Sequence, residues 1–363
     1  MGHGDSIVVE VNDEERRVIV VDCNVVRYGG VKRNRTVELL EQLKIKTIDL
    51  AVVTHFHRDH CSGFNDIFKN FDVRRLMVPP FLSENQKLFK ALRRQVADRL
   101  RRSVALTDDG DINDAALGLA SVLKFIATQQ SRVEEGSGKN GVIGVQGAGQ
   151  LEIRTHLPLK AMKAILQGLM RGDSDLDTLA DVNDSSVVLS LEYRGHTVVL
   201  GADSTLGQWT EHRRQMERDG VLSLNADALK VPHHASKHNS NESIYKYLLG
   251  DDTAGKFVFV SANGKSHPHD EFFDLVVRLG LQPRCTNLAS QCFGANVVRW
   301  VPMKDIPPEA AAFITHYPIE SAPIQCQGDI VLEIDDNGRT QVSNSTGRGC
   351  VYDTQLMQLG AGA

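Results

Sequence analysis

Three histidines and an aspartate fall within six positions directly after an apolar run. The stretch "THFHRDH" follows "IDLAVV" and contains His55, His57, Asp59 and His60. On an extended backbone, residues two apart point to the same side, which brings His55 and His57 together. Asp59 and His60 follow on the turn, where they can hold a second ion beside the first. Two ions about 4 Å apart can clamp a bridging hydroxide. The spacing therefore predicts a two-ion metal site at the end of a strand, rather than surface histidines.

The pattern of apolar residues around this cluster predicts an α/β protein. A hairpin is predicted over residues 6–23, followed by alternating helices and strands as far as residue 79. Residues 83–131 are predicted to be almost entirely helical, and a glycine-rich run follows them. Short strands interleaved with helices return from residue 151. We interpret residues 83–149 as a helical and glycine-rich insertion.

The chain of 363 residues is expected to form one α/β domain with additions, rather than two independent domains. Residues 1–301 are predicted to form this domain, and residues 302–363 a strand-rich C-terminal extension packed on it. The extension contains "DIVLEIDDNGRTQVS", whose Asn-Gly pair predicts a hairpin turn. The last residues of the tail are expected to be disordered.

Composition narrows the class of protein further. No apolar run approaches the roughly 20 residues that a membrane span requires, so no membrane association is expected. A net charge of -5 argues against a surface covered with positive charge for nucleic acid. The six cysteines include no CxxC pair, which indicates reduced thiols. The N-terminus lacks the basic and apolar regions of a secretory signal, so we expect a cytoplasmic protein.

The cluster and the motifs that follow it resemble the metallo-β-lactamase superfamily, in which a strand ending in H-x-H-x-D-H supplies ligands to a dinuclear metal site. The resemblance implies a four-layer αββα sandwich with the metals at one edge. Within the superfamily the chain most resembles the soluble hydrolase domain of ComEC-type DNA-uptake channels and its stand-alone relatives. Four stretches carry this likeness: "GHGDSIVVE", "NDSSVVLSLEY", "LKVPHHAS" and "SHPHDEFFDLV".

The resemblance also implies a set of metal ligands. The implied set is His55, His57, Asp59, His60, Asp203 and His233. Asp203 ends a late strand and is expected to bridge both ions. In the pair of histidines of "PHHAS", His234 is expected beside the ligands, or is itself the ligand if the register differs by one residue. The third histidine of the first metal site has no clear counterpart. His156 is a candidate substitute, and this first site is expected to hold its ion weakly.

Further residues are expected close to the ions. Asp22 matches an aspartate that usually makes structural hydrogen bonds in the superfamily. Asp5 belongs to a turn that lies near the metal pocket in the relatives. Asn183 and Ser186 stand where ComEC-type domains carry an asparagine-serine segment. His267 is expected to donate a hydrogen bond to a substrate phosphate or to orient a ligand, or else merely to cap the next helix.

These residues predict a metal-dependent hydrolase. Two divalent ions, with Zn²⁺ expected and Mn²⁺ as the alternative, would lower the pKa of a bridging water and polarise the substrate. Asp59 is expected to orient this nucleophile. The ComEC-type resemblance favours phosphodiester cleavage, and therefore a nuclease or a cyclic-nucleotide phosphodiesterase. The alternatives are a hydrolase of small esters, thioesters or lactones, and a partner-regulated binding protein that retains the metal site.

The predicted insertion contains an arginine-rich helix, "ALRRQVADRLRR". Its arginines form either an ordinary solvated helix face or a surface that tracks the phosphates of a single-stranded nucleic acid or nucleotide substrate. Residues 83–131 are also a candidate surface for a protein partner.

Overall fold

A computed structural model describes most of the chain. The described residues are 4–28, 31–80, 110–138, 141–145, 148–159, 180–239, 241–262, 267–287, 326–350 and 352, with Lys90, Arg94 and Ala97 as single helical positions. Most of the arginine-rich stretch and the last residues of the tail lie outside this part of the chain. The expectations for those segments therefore remain predictions.

The strands and helices follow the apolar pattern of the sequence. In chain order the strands are β1 (Ile7–Asn12), β2 (Arg16–Val21), β3 (Val26–Tyr28), β4 (Val31–Arg33), β5 (Thr47–Ile48), β6 (Leu50–Val52), β7 (Asp72–Val73), β8 (Leu76–Val78), β9 (Val133–Glu135), β10 (Val142–Ile143), β11 (Glu152–Leu157), β12 (Val188–Tyr193), β13 (His196–Leu200), β14 (Ala228–Lys230), β15 (Phe257–Val260), β16 (Gln282–Cys285), β17 (Ile330–Ile334) and β18 (Thr340–Asn344). The helices are α1 (Arg35–Gln42), α2 (Arg58–Cys61), α3 (Phe64–Asn70), α4 (Gly110–Thr128), α5 (Leu206–Arg218), α6 (Glu242–Leu249) and α7 (Asp270–Leu279). Short 3₁₀ turns cover Gln130–Arg132, Ala180–Ser185 and Pro232–Ala235.

Two mixed sheets form the centre of the fold. The first has the order β1-β2-β6-β8-β9, with an antiparallel β1–β2 hairpin and parallel pairing beyond it. The second has the order β10-β11-β12-β13-β14-β15-β16, antiparallel as far as β13 and parallel from there. The hairpin predicted over residues 6–23 is confirmed.

Alternation along the strands sorts side chains into three apolar layers. Ile19 and Val21 of β2 lie between the sheets, whereas Val18 and Val20 face the helices, as expected for a strand buried on both faces. Helices α1, α3 and α4 cover the outer face of the first sheet. Helices α5, α6 and α7 cover the outer face of the second. The predicted four-layer αββα sandwich is confirmed.

The glycine-rich run carries the chain from one sheet to the other. At its start, β9 pairs with β8 at the edge of the first sheet. Within it, β10 pairs with β11 at the edge of the second sheet. The sequence predicts a loop here with some hairpin character. In the structure the two strands pair with different sheets and not with each other.

The predicted C-terminal hairpin is present as β17 and β18 and contacts the sandwich at two places. Asp329 lies 2.7 Å from the guanidinium of Arg35, at the start of α1. At the hairpin turn, the ring Nε2 of His196 donates a hydrogen bond of 2.6 Å to the carbonyl of Gly338. The described hairpin therefore contacts the sandwich, and the packing of the extension as a whole stays a prediction. The limit between residues 301 and 302 lies outside the described part of the chain.

No helix among the described residues combines the length and the apolarity needed to cross a membrane.

Candidate metal centre

The candidate site lies where strand ends from both sheets converge. In the first sheet, Asp22 follows β2, and the stretch from Thr54 to His57 follows β6. Because β2 and β6 are parallel, their carboxyl ends share one edge of the sheet. In the second sheet, Asp203 follows β13 and His234 follows β14, again a parallel pair. Rigid strands thus carry short loops that present polar side chains at a common edge.

A first group of possible ligands consists of His55, His57 and Asp203, which offer atoms within 4.8 Å of one another. The Nε2 atom of His55 lies 3.1 Å from Nδ1 of His57 and 3.8 Å from Oδ2 of Asp203. His55 is completely buried, and His57 is partly exposed. Two imidazoles and one carboxylate at this spacing match the ligand types that Zn²⁺ takes in proteins.

A second group consists of Asp59, His60 and His234. The Nε2 atom of His234 lies 3.4 Å from Oδ2 of Asp59 and 3.4 Å from Oδ1 of Asp203. The Nε2 atom of His60 also lies 3.4 Å from Oδ1 of Asp203. Asp203 therefore turns one oxygen to each group, which is the arrangement that a carboxylate shared by two ions requires.

The backbone after β14 decides which of two neighbouring histidines enters the second group. His233, His234 and Ala235 all have left-handed backbone torsions, with φ of 46°, 50° and 62°. Non-glycine residues seldom adopt this conformation, and runs of it are found where function demands a special geometry. The side chain of His234 is completely buried in the cluster, whereas that of His233 is 30% exposed, with Nε2 3.9 Å from Asp203. The structure thus places His234 inside the group and His233 at its rim.

Asp22 holds the first-sheet side of the site in place. One of its oxygens accepts a hydrogen bond of 2.8 Å from the backbone N–H of Thr54. The other accepts from the Thr54 hydroxyl at 2.7 Å and from Nδ1 of His60 at 2.7 Å. Because the Thr54 hydroxyl donates its proton to Asp22, the hydroxyl oxygen accepts a hydrogen bond from Nδ1 of His55, 3.0 Å away. Both imidazoles then direct the lone pair of Nε2 into the site.

Buried polar atoms in the cluster indicate that it is built for a cation. Oδ1 of Asp203 and Nε2 of His60 are buried, and neither makes a hydrogen bond within the described part of the chain. Buried polar atoms normally have partners, so an ion is the simplest way to satisfy them. The residues present therefore fit the divalent ions that the fold implies.

The charges of the cluster favour the same occupant. Burial alone would raise the pKa of Asp203, but the nearby His234 and His60 outweigh it and hold that pKa well below the usual range. The pKa of Asp59 is likewise well below its usual range, because burial is outweighed by His60 and His234. Burial lowers the pKa of His55 well below its usual value. Ionised carboxylates and a neutral imidazole are the forms that bind metal ions. The carboxylates around His60 and His234 outweigh burial and raise the pKa of both rings, so an ion that binds there would take the place of their protons.

The segment of Asn183 and Ser186 lies beside the site. The backbone N–H of Val187 donates to the carbonyl of Thr54 at 2.9 Å, which ties this segment to the strand end that precedes His55. Asn183 and Ser186 are both buried. Neither Oδ1 of Asn183 nor Oγ of Ser186 has a hydrogen-bond partner among the residues that the structure describes.

His156, the candidate substitute ligand, lies apart from the two ligand groups. It is buried on β11, and its Nε2 lies 2.9 Å from the hydroxyl of Ser190. Its ring packs edge-on against His212, with 5.3 Å between the ring centroids. Burial lowers the pKa of His156 to about 3. These contacts are those of a neutral histidine in a core.

His267 lies at the rim beside His233. Their rings are stacked with centroids 6.0 Å apart, and the ring of His234 lies 6.4 Å away. Burial lowers the pKa of His267 to about 4, so that the ring is neutral near pH 7. The N-cap position of α7 is occupied by His269, whose side chain makes no capping hydrogen bond, so His267 does not hold the capping position predicted as one alternative.

Sequence reasoning missed two residues that support the site. Thr54 links Asp22 to His55, and Lys230 forms a buried ion pair of 2.8 Å with Asp5. The signal for Lys230 is a lysine within the apolar strand "ALKV", since lysine is almost never buried unless it is paired. Thr54 has no comparable signal, because threonine is common in strands.

Comparison with known proteins places the chain in a family. The model of the metallo-beta-lactamase superfamily matches residues 2–251. ComE operon protein 3 of Bacillus subtilis (strain 168) is 24% identical over 296 residues, which cover 77% of this chain and 30% of that protein. The chain thus spans less than a third of the length of this relative.

Two solved structures are also similar. CmlA, a diiron beta-hydroxylase from Streptomyces venezuelae, is 17% identical with a TM-score of 0.38, over 76% of this chain and 49% of that one. A diphosphatase of the PhnP family is 14% identical with a TM-score of 0.34, over 74% of this chain and 76% of that one. Scores this low carry no argument about activity. The family match, which covers well over half of the sequence, shows that the chain belongs to the metallo-β-lactamase superfamily.

Proposed function

We propose that the protein is a metal-dependent phosphodiesterase. Metal dependence is proposed because Asp203 lies between the two ligand groups. One of its oxygens faces His55 and the other faces His60. The superfamily is generally hydrolytic and metal-dependent. Phosphodiester chemistry is proposed from the resemblance of four stretches to ComEC-type domains, a resemblance with which the similarity to ComE operon protein 3 agrees.

The proposed ligands are His55, His57 and Asp203 for one ion, and Asp59, His60, His234 and Asp203 for the other. Such a nitrogen-rich set favours Zn²⁺, with Mn²⁺ as the alternative. When bound, two divalent ions activate water and neutralise charge on a substrate oxygen. The first site has fewer protein ligands and is proposed to hold its ion less tightly.

Residues of the chain itself would position the reactants. The side chain of Asp59 is 19% exposed, so that it reaches from the buried group toward solvent and can orient an attacking water. His233 and His267 stand together at the rim. Burial lowers the pKa of both rings, so each is neutral near pH 7 and can donate one hydrogen bond to a phosphate oxygen.

The substrate is proposed to be a single-stranded nucleic acid or a nucleotide. The arginine-rich part of the insertion is the proposed phosphate-tracking surface, and residues 83–131 are also proposed as a place where a protein partner could bind. Both proposals rest on sequence alone, since most of these residues lie outside the described part of the chain.

The test is hydrolysis of bis(p-nitrophenyl) phosphate and of labelled single-stranded DNA and RNA, with Zn²⁺ or Mn²⁺ supplied. Asp59→Asn should lower kcat by about 100-fold or more, because the variant loses the charge that orients the nucleophile. Asp72→Asn is the matched control, since Asp72 is exposed on β7, outside the cluster, and it should keep wild-type activity. A metal-loaded protein that leaves all these substrates intact but hydrolyses thioesters or lactones would refute the phosphodiesterase proposal.

A further inference from the structure

A buried ion pair lies directly behind the second ligand group. The Nζ atom of Lys230 is 2.8 Å from Oδ2 of Asp5, and Lys230 also donates a hydrogen bond of 3.1 Å to the carbonyl of Val231. Lys230 is 4% exposed and Asp5 is 1% exposed. The pair thus joins the turn before β1 to the end of β14.

Stability alone does not account for this pair. Removing two charges from water costs about as much as their attraction returns, and apolar residues of similar size often stabilise a core equally well. Lys230 stands in a short strand whose other members are Ala228 and Leu229, so an apolar side chain would suit this position. The presence of a lysine there points to a specific task for the carboxylate that it holds.

The second oxygen of that carboxylate faces His234. Oδ1 of Asp5 lies 3.7 Å from Nδ1 of His234, on the side of the ring opposite to the ligand group. Nε2 of the same ring lies 3.4 Å from both Asp59 and Asp203. Oδ1 of Asp5 is buried and makes no hydrogen bond within the described residues. The imidazole of His234 is therefore flanked by carboxylates at both of its nitrogens.

This flanking fixes the tautomer when an ion is bound. A neutral imidazole carries one proton, and a metal ion needs the lone pair of the other nitrogen. A carboxylate next to Nδ1 favours the proton on that nitrogen, and the lone pair of Nε2 is then the one that binds the metal ion. On the other side of the site, Asp22 is closer to its histidine and accepts a hydrogen bond of 2.7 Å from Nδ1 of His60.

The turn that carries Asp5 is seated tightly against the ligand loop. Gly4 has a φ of 129°, and a Cβ atom at this position would lie 2.3 Å from the backbone oxygen of Asp59. After Asp5, the hydroxyl of Ser6 accepts a hydrogen bond of 2.8 Å from the backbone N–H of Asn24. The backbone on both sides of Asp5 is thus fixed relative to the ligand groups.

We propose that Asp5, held by Lys230, is a positioning residue that orients His234 for the second metal ion. The inference rests on the proposed function, since it presupposes that the cluster binds divalent ions. Loss of such an outer partner typically weakens metal affinity by 10- to 100-fold.

The experiment titrates metal-free protein with Zn²⁺ against a competing chelator, and gives the number of ions bound and their dissociation constants. Asp5→Asn should weaken the tighter ion about 10- to 100-fold. Lys230→Met leaves the carboxylate buried without its cation and should lower the melting temperature. The double variant Asp5→Asn/Lys230→Met removes both charges and should recover stability relative to Lys230→Met, while its Zn²⁺ affinity stays as low as that of Asp5→Asn.

The control is a buried carboxylate with ion-pair partners at the start of β6, the end of that strand opposite to the site. Asp49 is buried and pairs with the partly buried Arg17 at 3.1 Å and with Arg74 at 2.7 Å. Asp49→Asn should lower the melting temperature and leave Zn²⁺ binding unchanged. If the double variant regained wild-type affinity together with its stability, Asp5 would have only a structural role and the inference would be wrong.

The Zn²⁺ titration distinguishes an error in the proposed function from an error in the role of Asp5. Wild-type protein that binds no Zn²⁺ would overturn both of them. Wild-type protein that binds two ions, with Asp5→Asn binding them equally well, would overturn the role of Asp5 alone.

Discussion

At the scale of single residues, the site depends on which nitrogen each histidine turns toward the cluster. Thr54, and through it Asp22, directs Nε2 of His55 inward, and Asp22 directly orients His60. His234 receives its orientation from the left-handed backbone that follows β14. Oδ1 of Asp5 lies 3.7 Å from Nδ1 of His234. Both histidines of the second group therefore have a carboxylate near Nδ1, and fixed ligands of this kind lose little entropy when an ion binds.

Replacing His233 and His234 one at a time should separate metal binding from substrate binding. His234→Ala removes the nitrogen that lies 3.4 Å from two carboxylates, so this variant should bind one Zn²⁺ fewer per chain. His233→Ala removes a rim side chain and should keep both ions while KM rises about 10- to 100-fold, since a hydrogen bond to a charged group contributes about 1.5–3 kcal/mol. Zinc content and steady-state kinetics measure the two effects. The opposite pattern, with the ion lost from His233→Ala, would show that His233 is the ligand.

These two histidines also mark how far the sequence can define the site. His55, His57, Asp59 and His60 are close in the chain, so their spacing alone predicts that they act together. The choice between His233 and His234 depends on three consecutive residues in a conformation that their side chains do not favour. No residue type in "PHHAS" signals that turn, and sequence reasoning therefore named His233 as the ligand, with His234 as the alternative if the register differed by one residue.

At the scale of elements, the ligand-bearing helix α2 is supported by α4. Gly118 of α4 lies so close to α2 that a Cβ atom there would be 2.1 Å from the carbonyl oxygen of Cys61 and 2.8 Å from Cα of Ser62. Apolar side chains of α4, among them Leu119 and Val122, continue this contact into the core beneath the first sheet. A helix of the predicted insertion thus packs directly against the helix that carries Asp59 and His60.

Gly118→Ala tests this contact, because two effects of the change have opposite signs. Alanine in a helix is favoured over glycine by about 1 kcal/mol, so an unhindered position would gain stability. Here the added methyl group meets backbone atoms of α2, and overpacking of this kind costs about 1–3 kcal/mol. We expect a net loss of unfolding free energy in urea, together with lower activity because Asp59 and His60 lie on α2.

The control for Gly118→Ala is Leu117→Ala, at an exposed neighbouring position of the same helix. It should change stability by no more than about 0.5 kcal/mol, as surface substitutions usually do. A more stable Gly118→Ala variant would mean that the space between α4 and α2 accommodates a methyl group, and that the two helices are not in close contact there.

Most elements could be predicted from their apolar period, and the exceptions have local causes. The predicted helices within "TVELLEQLK", "LGQWTEHRRQME" and "DEFFDLVVRLG" correspond to α1, α5 and α7. Strand β16 was missed because it contains Pro283, which argues against a strand. β16 is an edge strand of the second sheet, and proline is tolerated in edge strands because its missing N–H group costs no hydrogen bond to a further strand.

At the scale of the whole molecule, the candidate metal centre joins the two halves of the sandwich. His55 and His60 belong to the segment after β6 of the first sheet, whereas Asp203 and His234 follow β13 and β14 of the second. Elsewhere the sheets are held by apolar contacts, such as those of Val52 with the layer between them. At the site, by contrast, imidazoles and carboxylates from both sheets lie within 4.8 Å of one another in each ligand group, so that a bound ion would connect ligands of the two sheets.

Removing the metal should therefore destabilise the whole sandwich. An ion that binds only the folded chain adds about 4 kcal/mol to the free energy of unfolding when its concentration is 1,000 times its dissociation constant. We expect urea unfolding to shift to lower denaturant when Zn²⁺ is replaced by a chelator. In Asp203→Asn the shift should shrink sharply, because this residue contributes to both ligand groups. Asp72→Asn should keep the full shift, and identical unfolding curves for the wild-type chain with Zn²⁺ and with chelator would show that no ion links the two sheets.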